Sequence, residues 1–338
     1  MAHLAGPIAA ALGLAAAFAL DRLCAVRGLL PPGFRQLWRR VLAGSIVAGF
    51  LAAGVFLPLA AALAGLKIEP PNLSKIETFQ LFELHLIMVA VMGSWFLLGF
   101  AGLPKPREAP AEPVPPIEPV PIPLEGMEIP AASTEGAEEM AAQPLPEPPA
   151  PPPPPPPRVS LGRQFLIQFG FVAPDVPKEV GLGLTLGLGA WLAVLAAVLA
   201  VAGILIAVGG QDAVPHQPPA LIPLIAALPF AVRLAISLSA GIVEESFFRG
   251  FLQPRVGIGL STACFALAHL SYGQPFLLVG VTLLSLIYAF LVRWRQSLWA
   301  AMTAHALFDG IQLLVVVPAV LKLTQGVSGK AAAFLSCL

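Results

Sequence analysis

Six ionisable residues in the last third of the chain, Glu244, Glu245, Arg249, His269, His305 and Asp309, fall inside apolar stretches. Each such side chain costs roughly 2.5–3.5 kcal/mol when placed within a membrane-spanning helix, so a group of six calls for a function. Carboxylates and imidazoles pass protons near neutral pH, and a cluster of them can activate a water for hydrolysis. A helix turns about 100° per residue, so Glu245 and Arg249 share a face and can pair, while Glu244 points about 140° away from that arginine. Glu245 and Arg249 therefore read as a structural ion pair that neutralises itself. Glu244 has no local counter-ion, which makes it the candidate general base.

Depth decides whether these groups can meet. The turn between the first two polar helices centres near Gly257, with Glu244 13 residues before it and His269 12 after. At 1.5 Å per residue both lie roughly 18–20 Å from that turn, level in an antiparallel hairpin. His305 and Asp309 are four apart on one face of the last span, with His305 roughly 12 Å beyond the turn at Ser297. Glu244, His269, His305 and Asp309 are thus expected in one cavity below the membrane surface. Phe248 and Phe265 read as packing residues that line it.

Three local patterns carry a resemblance. V-E-E-S-F-F-R-G at 243–250 is similar to an EExxxR motif, F-A-L-A-H at 265–269 to FxxxH, and H-A-L-F-D at 305–309 to HxxxN or HxxxD. In this order and spacing they resemble the CAAX-protease and bacteriocin-processing (CPBP, Abi) family of intramembrane glutamic endopeptidases, which includes CAAX prenyl protease 2. The likeness covers roughly residues 221–321 and is silent on the rest of the chain. It implies that Glu244 and His269 activate a water, and that His305 with position 309 holds the oxyanion. Asp309 stands where the best-understood members have asparagine. An ionised aspartate cannot donate a hydrogen bond, so Asp309 is protonated, or orients His305, or marks a metal-binding variant.

No cofactor is needed for this chemistry. The same four residues, Glu244, His269, His305 and Asp309, are also acceptable zinc ligands, although no HExxH is present. A third alternative is a non-catalytic scaffold or bacteriocin-immunity protein whose polar cluster only holds helices together. Prenylated proteins are the substrates of eukaryotic members, and bacterial relatives are associated with peptide maturation and self-immunity. The resemblance therefore implies a peptide or protein partner, lipidated or not.

The elements that must position these residues are membrane helices. The chain is 57% hydrophobic and 11% charged, with a mean hydropathy of +0.83, against about 25% charged in soluble domains. Zero formal net charge and the lack of a dense basic cluster exclude nucleic-acid binding. Cys24, Cys264 and Cys337 show no CxxC spacing and read as packing residues. The expected fold is an all-α, multi-pass bundle. Spans of about 20 apolar residues are expected at Leu4–Leu20, Val41–Leu66, Leu81–Leu103 and Gly181–Val208. After them come a helix from Phe230 to Pro254 and the segments Ile258–Leu270, Phe276–Val292 and Leu298–Leu321. An amphipathic stretch, Leu161–Phe171, is expected along the interface.

Three regions follow: residues 1–103 as an N-terminal three-helix membrane region, 104–160 as a disordered proline-rich linker, and 161–338 as the protease domain. Residues 104–157 hold 21 of the 37 prolines, so no packed core can form there and the segment is a solvated spacer, partly polyproline II, or an SH3-type ligand. Arginines concentrate at Arg22–Arg40, Arg255 and Arg293–Arg295. The positive-inside rule then places those turns and the linker in the cytoplasm and the N-terminus outside, in a membrane whose composition suggests a bacterial inner membrane. Glu83 and His85, at the entrance of the third span, read as an interfacial polar pair, and Arg233 as a side chain that snorkels to the headgroups.

Overall fold

The computed structural model describes residues 2–64, 77–103, 160–214, 221–272 and 277–324. Among them there is no strand, and helices α1 (Ala2–Val26), α2 (Leu37–Leu51), α3 (Leu57–Leu63), α4 (Glu83–Phe100), α5 (Leu161–Gln168) and α6 (Val176–Gly209) form the first set. They are followed by α7 (Leu221–Ala227), α8 (Phe230–Ser239), α9 (Gln253–Val256), α10 (Ile258–Ala268), α11 (Leu277–Arg295), α12 (Trp299–Gly310) and α13 (Val317–Thr324). Six helical stretches are long and apolar enough to cross a membrane, and the chain is an integral, multi-pass membrane protein. The described residues within 1–103 and 160–324 pack as one compact unit. The proline-rich stretch, apart from Ser160, and the Gly273–Pro275 break lie outside the described residues.

Several helices begin or end beyond their expected bounds, for local reasons. Helix α1 continues past Leu20 because Asp21 is held by Arg40 at 2.6 Å and Cys24 is fully buried. Helix α6 starts at Val176, where Asp175 accepts a hydrogen bond from the Lys178 backbone N–H at 3.0 Å and Pro177 sits in the first turn. Its 34 residues amount to about 51 Å, longer than the roughly 30 Å hydrocarbon core. Helix α5 is capped by Ser160, which accepts from Arg163 N–H.

The basic turns share one end of the bundle. Arg27 donates to the carbonyl of Arg255, and Arg39 to those of Leu98 and Ala101. Arg295 pairs with Glu179. The Leu298 N–H bonds to the Gly170 carbonyl at 2.9 Å.

Two apolar clusters hold the motif helix between them. On one side, Phe247, Phe248 and Phe251 pack with Phe34, Trp95 and Phe96 of the N-terminal helices. On the other, α6, α11 and α12 share Val194, Leu284, Tyr288 and Ala304. In lipid, helices associate through close backbone approach at small residues, and α12 is gripped this way from both sides. A Cβ on Gly183 would lie 2.5 Å from the Ala300 carbonyl, on Gly187 2.8 Å from the Ala304 Cα, and on Gly241 2.6 Å from the Met302 carbonyl. Those three glycines fix the height at which His305 sits.

Candidate active site

The helix from Phe230 to Val256 is not a uniform α-helix. It widens into π turns at Ala240–Glu244 and Ser246–Leu252, a distortion that recurs at functional sites. The two neighbouring carboxylates emerge from these turns in different directions. Glu244 lines a cavity of about 390 Å³, together with His269, His305, Asp309 and Phe265, whereas Glu245 does not line it. The four side chains singled out for chemistry are therefore brought to one cavity by three separate helical segments. Phe248 does not line it and packs behind Phe265, with ring centroids 4.9 Å apart.

Glu245 is fully buried, and its Oε1 faces Arg249 Nη1 at 3.1 Å and His305 Nδ1 at 2.8 Å. The expected pair is present, but it does not neutralise itself in isolation, because the same oxygen also holds the histidine of the third motif. Arg249 Nη1 is not aligned for a hydrogen bond, so its link to Glu245 is Coulombic, while Nη2 donates to the carbonyl and hydroxyl of Ser285 at 3.2 and 3.0 Å. The guanidinium also lies 4.5 Å from the Phe265 ring centroid. A carboxylate only accepts, so Nδ1 carries the hydrogen in the bond to Glu245 and Nε2 is left to face Asp309. The Nε2–Oδ2 separation is 3.6 Å, an ion-pair distance beyond hydrogen-bond range. The Tyr288 ring stacks on His305 at 5.2 Å.

His269 is fixed by its own helix end. Its Nδ1 lies 2.7 Å from the Phe265 carbonyl, which can only accept, so the neutral ring carries its hydrogen on Nδ1 and Nε2 is the basic nitrogen. The Phe265 ring lies 4.5 Å from the imidazole.

Three sequence expectations need correction. Glu244 does have a partner: its Oε1 lies 3.3 Å from His85 Nε2, and both side chains are about one-eighth exposed. His85 was read as interfacial from its place near a helix entrance, but that entrance packs against α8 and the Ala240–Glu244 turn, so the imidazole enters the cavity while Glu83 stays exposed. A histidine within an apolar span was the same signal that marked His269, and proximity to the helix start masked it. Arg233 likewise does not snorkel, since its Nη1 donates to the Leu313 carbonyl at 2.9 Å.

Residues 226–311 match the family model described as type II CAAX prenyl endopeptidase, Rce1-like. This segment belongs to the CAAX-protease family. All four cavity-lining motif residues fall within the CAAX-protease segment, and His85 falls outside it. The chain is also 32% identical over 77 residues to the uncharacterized protein YpbD of Bacillus subtilis (strain 168). That alignment takes in 22% of this chain and 41% of YpbD, so the chain spans about two fifths of the length of that relative. No solved structure matches the chain.

Proposed function

We propose that the chain is an intramembrane endopeptidase in which Glu244, aided by His269, takes a proton from a water, and His305 with Asp309 faces the oxyanion. One observation carries this reading. Glu244 Oε2 is buried without a hydrogen-bond partner among the described residues, and the residue lines the cavity shared with His269, His305 and Asp309. Glu245 Oε2 is also buried without a partner, but Glu245 does not line the cavity, so of the two carboxylates only Glu244 can meet a water there. In the reaction, the water O–H bond breaks toward Oε2 and the hydroxide oxygen adds to the scissile carbonyl. When the C–N bond then breaks, Glu244 returns the proton to the leaving nitrogen. Apart from these groups, His85 and Gln312, the cavity is lined by apolar residues such as Leu195 and Leu284, and suits an apolar or lipid-bearing peptide.

The competing readings are less well supported. A cluster that served only as helix glue has no need of a cavity, whereas Glu244, His269, His305 and Asp309 line one of about 390 Å³. A zinc site would need three ligands around one point, and among the described residues no group of three His, Cys, Asp or Glu side chains has that arrangement. The ends carrying Arg27, Arg39, Arg255 and Arg295 favour a cytoplasmic location for that face, which would place the linker in the cytoplasm and the N-terminus outside.

The test compares envelope peptides from cells carrying the wild-type chain or Glu244→Gln, which keeps size and polarity but removes the base. A precursor is expected to accumulate only with the variant, and its sequence names the substrate. Unchanged peptides would move the assignment to a scaffold. Activity that is lost on chelation and restored by added zinc would move it to a metalloprotease.

A further inference from the structure

His85 does more than neutralise a charge. Its Nδ1 lies 3.0 Å from Ser239 Oγ, and that hydroxyl donates to the Ile236 carbonyl at 3.0 Å. With its single hydrogen committed, Ser239 can only accept from the imidazole, so Nδ1 bears a hydrogen. With Glu244 ionised, as its role as base requires, the bond from Nε2 to Glu244 Oε1 then takes its hydrogen from Nε2. Ser239, His85 and Glu244 form a directed chain that ends on one oxygen of the proposed base and leaves the other facing the cavity. His85 comes from α4, which lies outside the CAAX-protease segment.

Accordingly, we propose that His85 is a positioning residue for Glu244: it holds Oε1 and sets the carboxylate so that Oε2 meets the attacking water, making the N-terminal helices part of the catalytic machinery. The proposal rests on reading Glu244 as the base. It also gives α4 a reason to pack against the π turn that carries Glu244, since only that contact brings the imidazole within reach.

Two amide substitutions separate this role from mere filling of space. The nitrogen of Gln reaches the place of Nε2, whereas Asn reproduces only Nδ1 and its bond to Ser239. Membranes holding equal amounts of wild-type, His85→Gln, His85→Asn and Glu244→Gln chains are assayed with the precursor peptide that accumulates in Glu244→Gln cells. Loss of a hydrogen bond to a charged group is expected to lower kcat of His85→Asn about 10- to 100-fold. KM should stay within about threefold, because both imidazole nitrogens are spent on Glu244 and Ser239 and offer the substrate no hydrogen bond. His85→Gln should keep most of the activity, and adding His85→Asn to Glu244→Gln should cause no further loss. Equal activity in both amide variants, or equal impairment of both, overturns the role of His85 while leaving that of Glu244 standing. If Glu244→Gln cells accumulate no precursor, the base itself is wrong and the proposal falls with it.

Discussion

Glu244 and Glu245 are neighbours in sequence and opposites in surroundings. Glu245 is wholly buried on the side of the motif helix that packs against α11 and α12, where Arg249 and His305 converge on one of its oxygens. Each has one oxygen with no hydrogen-bond partner among the described residues, but Glu244 lines the cavity, with His85 on its other oxygen, and Glu245 does not. The first side is a dry polar joint between helices, and the second is a polar wall of a space large enough for a peptide bond. The same residue type is structural in one place and chemically poised in the other, and the difference is made by the partners that neighbouring helices supply.

The widest separation between the two sides should come from the matched pair Glu244→Gln and Glu245→Gln. The first removes a general base, a loss of about 10²–10⁴-fold in rate, and should leave unfolding in detergent nearly unchanged. The second strips the counter-charge from buried Arg249, which typically destabilises by about 3–5 kcal/mol, and it should lower the unfolding midpoint as well as activity. If the two variants lose stability equally, the division into a dry joint and a working wall is wrong. If Glu245→Gln is stable but inactive, Glu245 acts mainly by orienting His305.

Much of this contrast was legible in the residues. Four-residue spacing set Glu245 beside Arg249, counting from Gly257 brought His269 level with Glu244, and counting from Ser297 placed His305 where it could reach the same cavity. Those inferences rest on helical geometry, which sequence spacing encodes. What spacing does not encode is which helices pack together, and so His85 was missed although it touches Glu244 from 159 residues away. The π turns were also hidden, because they have no composition of their own. The same holds for the double role of Glu245, since its second partner comes from another helix.

A smaller effect tests how far the comparison depends on the height of α12. Gly187→Leu would drive a side chain into the backbone at Ala304, whereas Gly189 of the same helix has open space where a Cβ would stand. Overpacking typically costs about 1–3 kcal/mol, so Gly187→Leu should lower the unfolding midpoint and displace His305 from Glu245, with activity falling in step. Gly189→Leu should do neither. Equal behaviour of the two variants would mean that His305 is held by Glu245 and Tyr288 alone, without the glycine grip.

The smallest expected effect is at Tyr288, whose ring stacks on His305 and whose hydroxyl is buried with no hydrogen-bond partner among the described residues. Burying an unbonded hydroxyl costs about 1–3 kcal/mol, so Tyr288→Phe, which deletes that group and keeps the ring, should be neutral or stabilise by up to about 1 kcal/mol. Tyr288 does not line the cavity, so no transition-state contact is lost and activity should stay within about twofold of wild type. A loss of tenfold or more would mean that the hydroxyl reaches water or substrate through His305. The Glu245 side would then be wet in the working enzyme, and the two carboxylates would differ in degree of access and no longer in kind.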